Sequence, residues 1–267
     1  MTTRWGTAAR ISWLAVLVPV QASVMVGLGL ALTSGGAGGR LESAEERVVR
    51  EAVAYRDGWV DVVSQWLSTL ARTETVVGVT VVSVALLVLS SGGRRRREAG
   101  FLGAAVALQA AVFLVVTAFV ERPRPGVPHL DAAPPTSGFP SGHVGAAVAL
   151  YGGWLVLVFA RSARGPWRYA SLLLLLVPAA VGVSRIHRGM HYPTDVLGGL
   201  LNGTLTLLLV GWALLASRSP GGEPPARPRS PSAPGRWGDD GCRGTHVPRA
   251  DADVPLPPSP AARQGGR

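Results

Sequence analysis

The sequence predicts an all-α protein, a six-transmembrane-helix bundle with an amphipathic interfacial helical segment between spans 1 and 2. Three observations carry that prediction. Apolar residues make up 48% of the 267 residues, and they gather in runs instead of recurring with globular periodicity. Three of those runs are 20 to 22 residues long, enough to cross a hydrocarbon core of about 30 Å at about 1.5 Å per residue. The net charge of +10, carried by arginine with no lysine, is distributed unevenly among the links.

The first span covers about 11–32 and follows Arg4 and Arg10. A cleaved signal peptide has the same order of features, although 22 residues is long for a signal core. Next comes ESAEERVVREAVAYRDGWVDVVSQWLSTLART, in which Val49, Val53, Trp59, Val60, Val63, Trp66, Leu67 and Leu70 recur at mostly helical spacing. That pattern predicts one or two helices lying on the outer membrane surface and anchored by Trp, or an amphipathic helix packed on the bundle. The remaining spans are expected at about 75–91, 101–120, 144–160, 167–186 and 196–216. Residues 1–216 thus form a membrane domain. From 217 to 267 the chain turns to Pro, Gly, Ser and Arg, which cannot bury a core and is expected to be a disordered cytoplasmic tail. The single cysteine, Cys242, lies in that tail, so no intramolecular disulfide is available.

Orientation follows from the arginines. Positions 94–97 are all Arg, Arg161, Arg164 and Arg168 follow the fourth run, and the tail carries eight arginines against five acids. The link over 34–74 has five arginines against seven acids. The short basic links read as cytoplasmic, with both termini inside the cell membrane. The same bias accounts for the positive charge without a nucleic-acid partner.

With this topology three polar segments gather on the outer face: TAFVERPRPGVPHLD, PPTSGFPSGHVG and SRIHRGMHYPTD. Charge so close to hydrocarbon is expensive, so these residues are expected to be functional. Arg122, Arg124, Arg185 and Arg188 offer planar donor forks suited to phosphate or carboxylate. Ser141-Gly142-His143 stands where a helix begins, with free N–H groups and room for an anion. His191 and Asp195 are four apart, so the carboxylate can lie near the ring and fix its tautomer. His143, from another segment, can then face the bound group from the other side. One histidine attacking and one donating a proton suits phosphomonoester cleavage without a metal or other cofactor. A zinc ion could use the same histidines and Asp195, but the neighbouring arginines would repel a dication.

These segments resemble the three motifs of the type 2 phosphatidic acid phosphatase superfamily, which includes lipid phosphate phosphatases and vanadium haloperoxidases. The family pattern is Lys–six residues–Arg-Pro, then Pro-Ser-Gly-His, then Ser-Arg–five residues–His–three residues–Asp. Here the second motif is Pro140-Ser141-Gly142-His143, and the third is Ser184-Arg185 with His191 and Asp195 at both correct gaps. The resemblance covers about 11–216 and implies six spans with an outward-facing active site. It implies that His191 is the nucleophile forming a phosphohistidine, that Asp195 orients and charge-supports it, and that His143 protonates the leaving group. Arg124, Arg185, Ser141 and the Gly142 amide would bind phosphate oxygens. Counting back from Arg124-Pro125, the family's lysine falls on Thr117, whose hydroxyl could bond a phosphate oxygen at shorter reach. Arg122 or Arg188 could replace the missing charge, while His187 and His129 match no motif position. The implied substrate is a lipid phosphate or isoprenoid diphosphate in the membrane. A non-catalytic lipid-phosphate binder or transporter, and a phosphoryl transferase with an acceptor other than water, are the alternatives.

Overall fold

The computed structural model describes residues 6–34, 37–90, 95–161 and 165–216. The tail, Cys242, Arg94 and Arg164 lie outside the described residues. Every regular element among the described residues is helical. These are α1 (Thr7–Thr33), α2 (Ala37–Ala54), α3 (Gly58–Thr69), α4 (Thr73–Leu89) and α5 (Arg96–Phe119). A long loop leads to α6 (Gly142–Ala147), which runs through a π-helical turn into α7 (Gly153–Arg161). Then α8 (Pro166–Ala170) continues through a 3₁₀ turn into α9 (Leu176–His187), and α10 (Pro193–Leu214) closes the bundle.

Five helical stretches are long and apolar enough to cross a membrane: α1, α5, α6–α7, α8–α9 and α10. The second expected span is only 17 residues as α4, and it reaches spanning length jointly with α3 as a pair bent by 44°. The bend sits at Leu70–Arg72, where the backbone leaves the helix and Arg72 takes an extended conformation.

Helix α1 is built into the bundle along its whole length. Near its start Arg10 donates to the carbonyls of Trp212 and Ala216, covering the open end of α10. Halfway along, Gln21 donates to the Asn202 carbonyl at 3.1 Å, the Asn202 side chain at 2.8 Å and Thr206 at 2.9 Å. Asn202 donates in turn to the Gln109 carbonyl at 3.2 Å. Bonds of this kind join helices where apolar surface gives no preference for protein over lipid, each contributing about 0.6–2 kcal/mol. Small residues set the closest approach. A Cβ on Gly199 would lie 2.5 Å from the Ser141 carbonyl, and one on Gly203 2.6 Å from Val148. The two glycines, one turn apart, let α10 sit directly against the start of the fourth span.

The amphipathic segment becomes α2 and α3, both resting on α9. Its orientation is the reverse of that in a water-soluble protein. Trp59, Val62, Val63 and Trp66 are exposed, whereas Ser64 and Ser68 are buried. The helices pack on the bundle, the second of the two expected arrangements, with the tryptophans exposed, and the polar face of α3 turns toward α9 and the loop before α6. That placement brings α3 to the candidate site.

Candidate active site

The three polar segments are stitched together by backbone bonds. Arg122 O accepts from Gly138 N at 2.8 Å, and Asp195 O accepts from Ser141 N at 2.8 Å. Arg124 Nη1 donates to Met190 O at 2.9 Å, tying the first segment to the third. The result is a cavity of about 560 Å³ whose wall includes Arg124, Gly142, His143, Arg185 and His191. Facing them are Gln65, Ser68 and Arg72 of the α3–α4 bend, with Val76, Val77, Val106, Ala110 and Phe113 along α4 and α5. One end of the cavity is cationic, and the side between α4 and α5 is apolar.

His191 is 4% exposed. Its Nδ1 lies 2.8 Å from the Gly138 carbonyl and 3.6 Å from Asp195 Oδ2. The carbonyl can only accept, so Nδ1 carries the proton and Nε2 keeps its lone pair. At 3.6 Å the carboxylate is beyond hydrogen-bonding range but fully able to act by charge. The sequence places the orienting bond on Asp195; the structure gives it to Gly138 and leaves Asp195 as the charge beside the ring. Burial holds the His191 imidazolium below its ordinary pKa, against the opposing pull of Asp195.

Asp195, fully buried, is itself held by two donors. Oδ2 accepts from Tyr192 N at 2.8 Å, closing a capping box at the start of α10, and Oδ1 accepts from Arg122 Nη1 at 2.5 Å. Arg122 also lies over the Tyr192 ring, 4.8 Å from its centroid. Its other end, Nη2, reaches Glu45 Oε2 of α2 at 2.7 Å.

Arg185 donates from Nη1 to Ser68 Oγ at 3.0 Å and to Asp131 Oδ2 at 2.5 Å. Arg188 grips the same carboxylate at 2.8 and 2.6 Å and also donates to Ser64 Oγ at 3.0 Å. Partial burial alone would raise the Asp131 pKa, but the two guanidinium groups more than offset it and hold it at about 2. Arg122 and Arg188 are therefore fully occupied by protein partners, and neither takes the place of the missing lysine. His187 pairs with Asp61 at 2.8 Å, and His129 meets the Pro125 carbonyl at 3.1 Å.

Five buried side-chain polar atoms among the described residues have no hydrogen-bond partner within the protein, and three belong to the predicted phosphate ligands: Arg124 Nε, Ser141 Oγ and Arg185 Nε. Buried donors are normally satisfied, so three orphans in adjoining walls can together donate to an oxygen-rich anion. Thr117 stands apart. Its hydroxyl donates to Leu114 O at 3.0 Å, and it lines a neighbouring depression with Glu121, Arg122 and Pro135 instead of the main cavity. Among the described residues no three of His, Cys, Asp and Glu converge as a metal site would require. Residues that sequence reasoning passed over are Gly138, Glu45, Ser64, Ser68 and Asp131. Of these, Asp131 and Gly138 stand within the three polar segments singled out in the sequence.

Residues 98–218 match the family model of the PAP2 superfamily. The chain is 38% identical over 74 residues to the bacitracin transport permease protein BcrC of Bacillus licheniformis, a stretch that is 28% of this chain and 32% of that one. The chain thus spans about a third of that relative. It is 27% identical over 180 residues to phosphatidylglycerophosphatase B of Bacillus subtilis, covering 64% of this chain and 83% of the relative. The fold is similar to the crystal structure of the transmembrane PAP2-type phosphatidylglycerolphosphate phosphatase from Bacillus subtilis, with a TM-score of 0.63 at 21% identity over 78% of this chain and 99% of that one. The matched region opens in α5 and contains all three motif segments that wall the cavity. Residues 98–218, which carry both histidines of the cavity wall, thus resemble the PAP2 superfamily, in a chain with five helical stretches long and apolar enough to cross a membrane.

Proposed function

We propose that the protein is a metal-independent lipid phosphate phosphatase working through a phosphohistidine at the outer face of the cell membrane. The observation that carries this reading is the convergence of three unpartnered buried donors, on Arg124, Ser141 and Arg185, in walls that also hold His191.

In the reaction, Arg124, Arg185, Ser141 and the Gly142 amide hold the phosphate oxygens. The His191 Nε2 lone pair attacks phosphorus while the bond to the lipid oxygen breaks, and His143 delivers its proton to the departing alkoxide. The ring, still protonated at Nδ1, becomes a phosphoimidazolium. Its new positive charge is stabilised by the Asp195 carboxylate and its orientation by the Gly138 carbonyl. Water then gives a proton to His143 as its oxygen bonds phosphorus, the P–N bond breaks, and inorganic phosphate leaves with His191 neutral again. The arginines neutralise the transferred group, so no step calls for a divalent cation.

The cavity composition supports a lipid substrate. The phosphate end is cationic, and Val76, Val77, Val106 and Phe113 line a path on which acyl or prenyl chains can lie. Phosphatidic acid, phosphatidylglycerol phosphate and polyprenyl diphosphate share this plan. The relative matched over 83% of its length makes phosphatidylglycerol phosphate the first to test. The test is phosphate release from these three lipids by purified protein, with and without EDTA, together with capture of acid-labile phosphoprotein from labelled substrate. Release insensitive to EDTA and label lost in His191→Ala are expected. Absence of both release and label would overturn the reading.

A further inference from the structure

We propose that Glu45 and Arg122 are positioning residues, forming a buried carboxylate–guanidinium–carboxylate chain by which α2 fixes Asp195 beside His191. The proposal rests on the catalytic reading above. It assigns a role to a residue far upstream of the family-matched region, which begins at residue 98.

The geometry is closed at every link. Glu45 is 4% exposed, Arg122 5% and Asp195 not exposed at all. Glu45 Oε2 accepts from Arg122 Nη2 at 2.7 Å and from Thr194 Oγ1 at 3.0 Å, while Oε1 accepts from Thr194 N at 2.6 Å. Thr194 lies in the first turn of α10, so Glu45 covers an open N–H group of the helix that carries Asp195. Arg122 Nη1 meets Thr194 Oγ1 at 2.7 Å and Asp195 Oδ1 at 2.5 Å. The neighbouring Glu46 accepts from Tyr192 OH at 3.0 Å, a second grip of α2 on the same turn.

Buried charges carry a large desolvation cost and persist where geometry and hydrogen bonds are complete. This network could stand as structural glue alone, but its endpoint argues for more. Asp195 is the carboxylate nearest His191 Nδ1, at 3.6 Å with no direct hydrogen bond. A charge acting at that separation is sensitive to its placement and its neutralisation. Arg122 fixes both, and Glu45 shares the charge of Arg122. Outer-shell partners that orient metal-ligating side chains contribute about 10- to 100-fold in activity, and the same scale is expected of partners that hold Asp195.

The test uses full-length protein in detergent with the lipid phosphate that the wild type hydrolyses. Arg122→Gln and Glu45→Gln keep polar atoms in place while removing each charge. Expected are kcat values about 10- to 100-fold lower, with KM and the inhibition constant of inorganic phosphate within about threefold. The acid limb of kcat/KM separates positioning from packing. His191 is faced by Asp195, Arg124, Arg185 and His143. Loss of the Arg122 charge leaves two carboxylates near the ring and moves the limb to higher pH. Loss of the Glu45 charge leaves Arg122 to neutralise Asp195 more fully and moves it to lower pH. Arg122→Lys should retain the wild-type direction of the limb while recovering only part of kcat, because an ammonium cannot fork to both carboxylates. If either Gln variant fails to fold, Thr194→Val, which removes one hydroxyl shared by Glu45 and Arg122, provides the second measurement and should lower kcat with phosphate inhibition unchanged. Limb shifts of the same sign, kcat within twofold of wild type in both Gln variants, or a loss confined to KM would overturn the proposal. Wild type that releases phosphate from no lipid would instead sink the catalytic reading.

Discussion

Gly138→Ala tests whether a backbone carbonyl, and not Asp195, orients the nucleophile. A Cβ at Gly138 would stand 3.1 Å from the Pro123 carbonyl oxygen and 3.3 Å from that of Arg122. Both are backbone atoms in a loop held by the Gly138 N–Arg122 O bond of 2.8 Å, so they cannot swing away as a side-chain tip would. Relief therefore requires the Gly138 peptide to move by about 0.2–0.4 Å to reach ordinary contact. Its carbonyl is the one that His191 Nδ1 meets at 2.8 Å, so the ring turns with it. A misplacement of about 1 Å can cost about 100-fold in rate; scaled logarithmically, this shift lowers kcat about 3- to 6-fold. KM should stay within about twofold, since Arg124, Arg185 and Ser141 are untouched, and overpacking should cost about 1–3 kcal/mol of stability. The assay is steady-state phosphate release alongside thermal unfolding in detergent. Gly100→Ala is the control: no atom lies within 4 Å of its Cβ, so it should leave kcat unchanged. An unaltered kcat in folded Gly138→Ala protein, or a change in KM alone, would refute the orienting role of the carbonyl.

Three further outcomes are expected. His143→Ala should be crippled on lipid phosphates by about 10²- to 10⁴-fold yet partly recover on an aryl phosphate whose leaving group needs no proton, whereas His191→Ala should be inactive on both; equal loss on both substrates for both variants would remove the assignment. Thr117→Lys should leave activity equal or higher, because the longer side chain can reach past Phe113 from the neighbouring depression and add a charge contributing about 1 kcal/mol in a wet site; abolished turnover in folded protein would refute this. Asp131 has its carboxyl lowered from 3.8 to about 2, so its contribution to stability is present above its ordinary value and is lost as pH falls from about 4 through about 2. Thermal unfolding followed across that window should therefore fall more steeply for wild type than for Asp131→Asn, and parallel curves would show that the pairing with Arg185 and Arg188 adds no pH dependence.

The spans were legible in the sequence because hydrocarbon demands long apolar runs, and the three motif segments because charge between such runs is rare. What stayed hidden has a common physical origin. Gly138 acts through a carbonyl, which no side chain announces. Glu45, Ser64 and Ser68 lie on helices whose alternating polar and apolar positions read as amphipathic, and a water-based reading turns such polar faces outward. Here the polar face packs on the guanidinium groups of Arg185 and Arg188, so the serines face the arginines and Trp59 and Trp66 face out. The apolar run begins at 75 and so points to a second span over 75–91; the helix pair bends at Leu70–Arg72, and α3 supplies the missing length with residues that line the cavity.

The charges of the site wall then form a near-balanced set. Arg122, Arg124, Arg185 and Arg188 supply four positive charges, while Glu45, Asp131 and Asp195 supply three negative ones, each of these three carboxylates being bonded to a guanidinium; Arg72 and Glu74, which also line the cavity, add one charge of each sign. One positive charge is left over, and the proton that His143 would carry in the proposed general-acid role would make it two, enough for a phosphate dianion. The unpaired share is not spread evenly. It sits on Arg124, which has no carboxylate partner and an unbonded Nε, and on the free Nε edge of Arg185. Most of the wall's charge is thus neutralised internally, and under the proposed function the remainder, aimed at one place, is what attracts phosphate. A lysine at 117 would raise the leftover charge by one. On the proposed function its absence leaves the anion with fewer cations, so more depends on the placement of those present, and the proposed anchoring of Asp195 by α2 serves that placement.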